Sequence, residues 1–184
     1  MKRILIIAGD ACEALEVLYP KFRIEEEGWT VHIAAPIKKT LHSVVHDFEP
    51  HSETYTEKPG YLIEADLAFA AINPSDYDGL VIPGGRGPEH IRNNRSLPRI
   101  VRHFFDERKP VAATCHAVLI LLSLGLVKGR TMAAYPQLAC DVELAGGTFQ
   151  DRPAAVDGNL VSARAWPDNG PWMGEFIRMA KERS

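Results

Sequence analysis

Four short apolar runs punctuate the chain: Ile4 to Ala8, Val31 to Ala35, Leu80 to Pro83 and Val111 to Thr114. None alternates with polar residues. Continuous, β-branched-rich hydrophobicity is what strands buried on both faces require, so these runs predict a parallel sheet covered by helices. The segments between them carry a helical period. Ala14 to Glu27 sets Leu15, Leu18 and Phe22 at three- and four-residue spacing, Gly28 sits where a left-handed cap belongs, and Pro20 predicts a kink. Further helices are expected over Leu97 to Arg108, Ala117 to Leu124, Pro136 to Ala145 and Pro171 to Arg183, with Gly146-Gly147 ending the third of these.

Between Pro36 and Phe69 the pattern breaks. Val44-Val45-His46-Asp47-Phe48, Thr54-Tyr55-Thr56 and Leu62-Ile63, separated by polar, Pro and Gly positions, predict a β-hairpin-like excursion from the main sheet. A second hairpin is expected at Ala154 to Ala163, with Asp157-Gly158 as its two-residue turn. No repeat or low-complexity tract interrupts the 184 residues, which read as a single domain, 1–184, of α/β class.

Composition removes whole classes of function. Hydrophobic residues at 46% and charged residues at 24% are ordinary for a folded domain. A net charge of -3 supplies no basic footprint, so no nucleic-acid partner is expected. No run approaches the ~18 to 20 apolar residues that span a bilayer, and Met1-Lys2-Arg3 leads straight into a strand, so the expectation is a cytoplasmic protein with no membrane partner. The three cysteines, Cys12, Cys115 and Cys140, are too widely spaced for a disulfide framework or a structural zinc site. His42, His46 and His51 cluster with Asp47 and Glu49, but their irregular spacing around Val44-Val45 argues against a shared ligand face, and no metal site is expected.

The chemistry concentrates where Pro110 to Thr114 runs into Cys115-His116-Ala117 and then into Val118 to Leu124. This places a cysteine on a strand-to-helix turn, the nucleophile-elbow arrangement. A thiol there meets the positive end of a helix and free N–H groups, which predicts a lowered pKa. The competing reading is a small buried core residue. Pro83-Gly84-Gly85-Arg86-Gly87 also follows a strand but matches no nucleotide loop. Its better use is a Gly85 N–H that, with the N–H of His116, forms an oxyanion hole; the alternative is a plain tight turn. Glu13 and Glu16, three apart at the first helix, are either dipole partners or a carboxyl beside the thiol, held protonated and able to act as general acid or base. Cys140 is expected in the core.

Glu13-x-x-Glu16-x-x-x-Pro20, Val81 to Glu89, Ala112-Ala113-Thr114-Cys115-His116 and Tyr135-Pro136 together resemble the ThiJ/PfpI family over nearly the full chain. The resemblance implies a flavodoxin-like three-layer α/β/α sandwich with a mostly parallel sheet and a nucleophile-elbow cysteine of the class I glutamine amidotransferase kind. Thr30 to Pro36, Val45 to Phe48, Tyr55 and Tyr77 to Pro83 are similar to the cofactor-free glyoxalases of the plant two-domain type, and the match to the intracellular protease branch is nearly as good. Carried over, Cys115 is the nucleophile, His116 its neighbour and Glu16 the carboxyl that bonds the thiol. Glu89 corresponds to a glutamate that completes a triad with His116 in an oligomer. Glu13, Gly84 and Tyr135 are candidates for holding substrate. Ala117 stands where glycine is common, and Ala165 to Gly170 departs from the family's usual stretch.

The resemblance thus implies a cofactor-independent glyoxalase or deglycase acting on methylglyoxal, glyoxal or their adducts, needing neither metal nor nicotinamide. A cysteine peptidase or amidase using Cys115, His116 and Glu89 is the alternative, although a histidine next in sequence to its cysteine is expected to point away from it. A redox- or stress-sensing protein with an oxidisable thiol is the non-catalytic alternative. A homo-oligomer, either a dimer or a ring of dimers, is expected, with Gly84 to Asn94 near the interface.

Overall fold

Alternate residues of the first strand, β1 (Arg3–Ile7), belong to two different cores. Leu5 and Ile7 pack with Leu80, Ile82, Val111 and Phe104, whereas Ile4 and Ile6 pack with Val81, Ala112, Trp172 and Phe176. Successive strand side chains point to opposite faces, so an uninterrupted apolar run of this kind fills two layers at once. The sandwich expected from the sequence is present in this computed structural model, which describes residues 1–183.

In chain order the elements are β1, α1 (Ala14–Glu25), β2 (Thr30–Ala35), β3 (Thr40–Asp47), β4 (Thr56–Glu64), β5 (Leu67–Ala68), β6 (Gly79–Ile82), α2 (Gly87–Ile91), α3 (Leu97–Asp106) and β7 (Val111–Thr114). There follow α4 (Val118–Ser123), β8 (Thr131–Met132), α5 (Ala139–Leu144), β9 (Thr148–Phe149), β10 (Ala155–Asp157), β11 (Leu160–Ala163) and α6 (Asn169–Glu182). The seven-stranded sheet has the order β10-β11-β7-β6-β1-β2-β5, parallel except where β10 pairs with β11. β1 lies between β2 and β6, and β7 pairs with β6 and β11. The loops leaving β1, β6 and β7 therefore emerge side by side at the carboxyl edge of the sheet, where open α/β sheets bind ligands.

Two local expectations change. In α1 the buried positions are Ala14, Glu16, Val17, Pro20 and Ile24, while Leu15 and Phe22 are exposed. Of the three spaced residues only Leu18 packs against the core, because the inward face carries a carboxyl and a proline that a hydrophobicity count ignores. α1 continues through Pro20 to Glu25, and Gly28 takes φ 72 just beyond it. In the second hairpin Asp157 pairs with Leu160, so the turn is Gly158-Asn159 rather than Asp157-Gly158. Gly158, at φ 60, supplies the positive dihedral such a turn requires. The first hairpin forms as expected: β3 and β4 pair antiparallel as a separate two-stranded sheet.

Candidate active site

β7 ends at Thr114 and the chain turns through Cys115 at φ 57 into a single 3-10 turn, Cys115–Ala117, that feeds α4. Left-handed backbone at a non-glycine residue costs on the order of 1–3 kcal/mol and persists only where its surroundings hold it. Here the loop after β6 does so. A Cβ on Gly84 would sit 2.5 Å from the Cys115 Cβ and 2.6 Å from Glu16 Oε2, so only glycine lets these backbones approach. Gly85, at φ 74, and His116 are the two expected donors, and their N–H groups both favour a charged Cys115 sulfur. Gly84, expected to hold substrate, donates its N–H to Glu16 Oε2 at 2.7 Å.

Both glutamates of the α1 entrance are buried. Glu13 Oε2 accepts the Glu16 N–H at 2.8 Å, which caps α1 and explains where the helix starts. Glu16 lies against the thiol. Burial, and then the Glu13 charge, push Glu16 up to about 8, with the Gly84 N–H pulling the other way; Oε1 has no hydrogen-bond partner among the described residues. Burial raises Glu13 to about 7. Both carboxyls therefore carry a proton over much of the neutral range.

The thiol does not follow the helix-end expectation. Burial, and then Glu16, hold Cys115 well above an ordinary cysteine, with the Gly85 and His116 N–H groups only partly offsetting them. With 4% of its surface exposed, the sulfur loses more solvation than one short turn returns. A second expectation also reverses: His116 does not point away from its neighbour. Its Nδ1 lies 3.2 Å from Cys115 Sγ, and burial, followed by His46, holds the imidazole below its ordinary pKa. The neutral ring is within reach of the thiol proton, but the raised thiol and lowered imidazole both oppose a resting thiolate–imidazolium pair, so transfer belongs to the attack on substrate.

Tyr135 stacks on His116, with ring centroids 5.1 Å apart and planes 22° apart. Tyr55, delivered just ahead of β4, stands edge-on to both His116 and Tyr135. Beside Tyr135 opens a cleft of about 570 Å³ whose walls include Phe48, Thr54, Pro136, Arg164 and Pro167. Glu89 is exposed on α2; its charge raises the His116 pKa, although among the described residues no hydrogen bond joins the two.

The sequence thus located the thiol, both carboxyls and the glycine loop, and the structure adds His46, Glu57, Arg86 and Trp166. Trp166 Nε1 donates to the His46 carbonyl at 2.9 Å, which ties the stretch before α6 to the hairpin. The histidine cluster disperses. A register shift between His42 and Val44 leaves His42 exposed and His46 buried, and His51 lies exposed in the following loop at φ 67. Among the described residues no three His, Cys, Asp or Glu side chains converge on a metal position. Cys140, expected in the core, is exposed, because α5 turns that face to solvent. Cys12 is buried and pushed up to about 12 by desolvation, then by nearby carboxylates.

An open parallel sheet with a glycine loop facing a cysteine elbow defines the chain as a flavodoxin-like protein of the cysteine-elbow kind. Its family follows from comparison: the DJ-1/PfpI family model matches residues 2–179, and the chain belongs to that family. It is similar to the deglycase PH1704 of Pyrococcus horikoshii and the deglycase PfpI of Pyrococcus furiosus, each 39% identical over 97% of this chain and 99% of the relative. The crystal structure of Drosophila melanogaster DJ-1beta shares the fold with a TM-score of 0.79 at 20% identity, covering 98% of this chain and 89% of that one. No helix among the described residues is long and apolar enough to cross a membrane.

Proposed function

We propose that the protein is a cofactor-independent glyoxalase or deglycase that converts methylglyoxal or glyoxal, free or as adducts, to hydroxy acids. The observation that carries this reading is His116 Nδ1 at 3.2 Å from the Cys115 sulfur, in a pocket where the Gly84 backbone packs against both Cys115 and Glu16. The relatives named deglycases support it. Cys115 gives its proton to His116 and adds to the aldehyde carbon, forming a C–S bond. The former carbonyl oxygen becomes an oxyanion between the two N–H groups. The oxyanion takes the proton from His116, which as a neutral base again removes the proton from that carbon. Protonation of the adjacent carbonyl oxygen by Glu16 gives an enediol, and its collapse with protonation at that second carbon gives a 2-hydroxyacyl thioester and returns the proton to Glu16. Water then cleaves the thioester, releasing the hydroxy acid and restoring the thiol. Oxidation at one carbon balances reduction at the other, so no external electron carrier enters.

A peptidase or amidase is the second reading, favoured by the 3.2 Å approach of His116 to the thiol. Incubation with methylglyoxal, following loss of the dicarbonyl and appearance of lactate, is run beside a peptide-hydrolysis assay. Lactate formation that disappears in Cys115→Ser supports the first reading. Peptide cleavage without lactate supports the second and removes the first.

A further inference from the structure

The β3–β4 hairpin lies outside the main sheet, yet three side chains link it to the oxyanion donors. Glu57 on β4 receives Arg86 at 2.9 Å from Nε and 2.7 Å from Nη2, a fork geometry that lysine cannot reproduce. The same carboxylate is 3.1 Å from Nε2 of His46, its cross-strand partner on β3. Glu57 is held down to about 2, first by Arg86, and stays ionised at any working pH. The buried His46 ring lies against Tyr55, with centroids 4.3 Å apart, and Tyr55 stands edge-on to His116. At the other end Arg86 directly follows Gly84-Gly85, the loop packed against Cys115 so closely that a Cβ on Gly84 would lie 3.0 Å from the sulfur. Backbone bonds from Ala11 to His42 and from Val44 to Cys12 anchor the root of the hairpin, but the end bearing Tyr55 has the Glu57–Arg86 pair as its tie to the glycine loop.

We propose that Arg86, Glu57 and His46 are positioning residues, a clamp that fixes the Gly85 N–H and the Tyr55 ring around Cys115. The pair is partly exposed, with 55% of the Arg86 side chain and 29% of the Glu57 side chain accessible, so its worth to stability is small. Its worth to the reaction is larger, because displacing a group by ~1 Å in an active site costs on the order of 100-fold. The kinetic part rests on the proposed glyoxalase chemistry. The geometric part does not.

The test is a charge-reversal cycle in a Cys140→Ser background: Glu57→Arg, Arg86→Glu and the double variant. It reads kcat and KM with methylglyoxal, melting temperature, and the rate at which iodoacetamide alkylates Cys115. Each single variant should lose ~10-fold or more in kcat with KM within ~3-fold and should alkylate faster as the hairpin loosens; the double variant should recover part of both losses. Melting temperature should stay within a few degrees, as a partly exposed pair predicts. If a reversed charge prevents folding, Arg86→Lys keeps the charge and removes the fork, and should show the same kcat loss. Single variants with unchanged kcat and alkylation, or a double variant equal to the product of the singles in both, overturn the clamp. Absence of methylglyoxal turnover in the unaltered protein removes the proposed reaction alone, and the alkylation cycle still decides the clamp.

Discussion

Replacing Glu16 by Gln should make the folded protein more stable and less active, and the size of the gain depends on pH. Burial lifts Glu16 from its ordinary 4.5 to about 8 in the fold, whereas in the unfolded chain it returns to the ordinary value. Between those two pH values the folded state holds a proton that the unfolded state has released. Stability therefore falls as pH rises through this window, by about 1.4 kcal/mol per pH unit for one group, and the fall stops above pH 8. From pH 5 to pH 7 the loss is about 2–3 kcal/mol, a large part of the ~5–15 kcal/mol that holds a domain folded. Glutamine keeps an oxygen for the Gly84 N–H and never ionises, so the variant escapes this loss. Urea unfolding of both proteins at pH 5, 6 and 7 should give curves that nearly coincide at pH 5, with the variant ahead by about 2–3 kcal/mol at pH 7. Turnover should meanwhile drop ~10²- to 10⁴-fold. A stability difference that does not change with pH would refute the protonated carboxyl and, with it, Glu16 as a proton donor.

Glu13→Gln should cost less turnover than Glu16→Gln, since Glu13 is committed to capping α1; equal, small losses in steady-state assays would reduce both to structural roles. In a Cys140→Ser background, peptide mapping after iodoacetamide should find the label on Cys115 and not on the buried Cys12, and the reverse would displace the elbow assignment. Gly84→Ala should abolish turnover and cost ~1–3 kcal/mol in unfolding experiments, because its Cβ falls 2.5 Å from that of Cys115; a fully active, stable variant contradicts the tight approach. Light scattering at micromolar concentration should return at least a dimer, whereas a monomer would remove the support for Glu89 acting across an interface.

How much of this was legible depended on how local each signal was. The four apolar runs identified the central strands to within a residue or so, because burial on both faces leaves no freedom in the composition of β1 or β7. The elbow was legible because Cys115-His116 directly follows such a strand. The inward face of α1 was not: Glu16 and Pro20 occupy it, and the group that receives Glu16 there, the Gly84 N–H, lies 68 residues away where no local pattern reports it. The reach of His116 was hidden for a related reason, since the φ of 57 at Cys115 changes the direction of the next side chain and nothing in the residue names announces it. Glu57 and Arg86, 29 residues apart, meet only because the hairpin folds back onto the glycine loop.

The buried pocket holds three acidic groups, Glu13, Glu16 and Cys115, and the backbone donors near Glu16 and Cys115 do not offset the burial of every negative charge at once. Ionising Glu16 raises the thiol, since two negative charges would then share one buried site. Protons then leave this pair in two steps that belong to the pair and not to either residue. While the pair holds its first proton on Glu16 a thiolate meets no second charge beside it, whereas a carboxylate there opposes one. The rate of Cys115 alkylation against pH should therefore rise in a broad or two-stage curve in the unaltered protein, because each proton lost hinders the next. In Glu16→Gln the charge beside the sulfur is gone at every pH, and the same curve should sharpen to a single step. Superimposable curves for the two proteins would mean that the carboxyl and the thiol do not sense each other, and the shared proton would have to be abandoned.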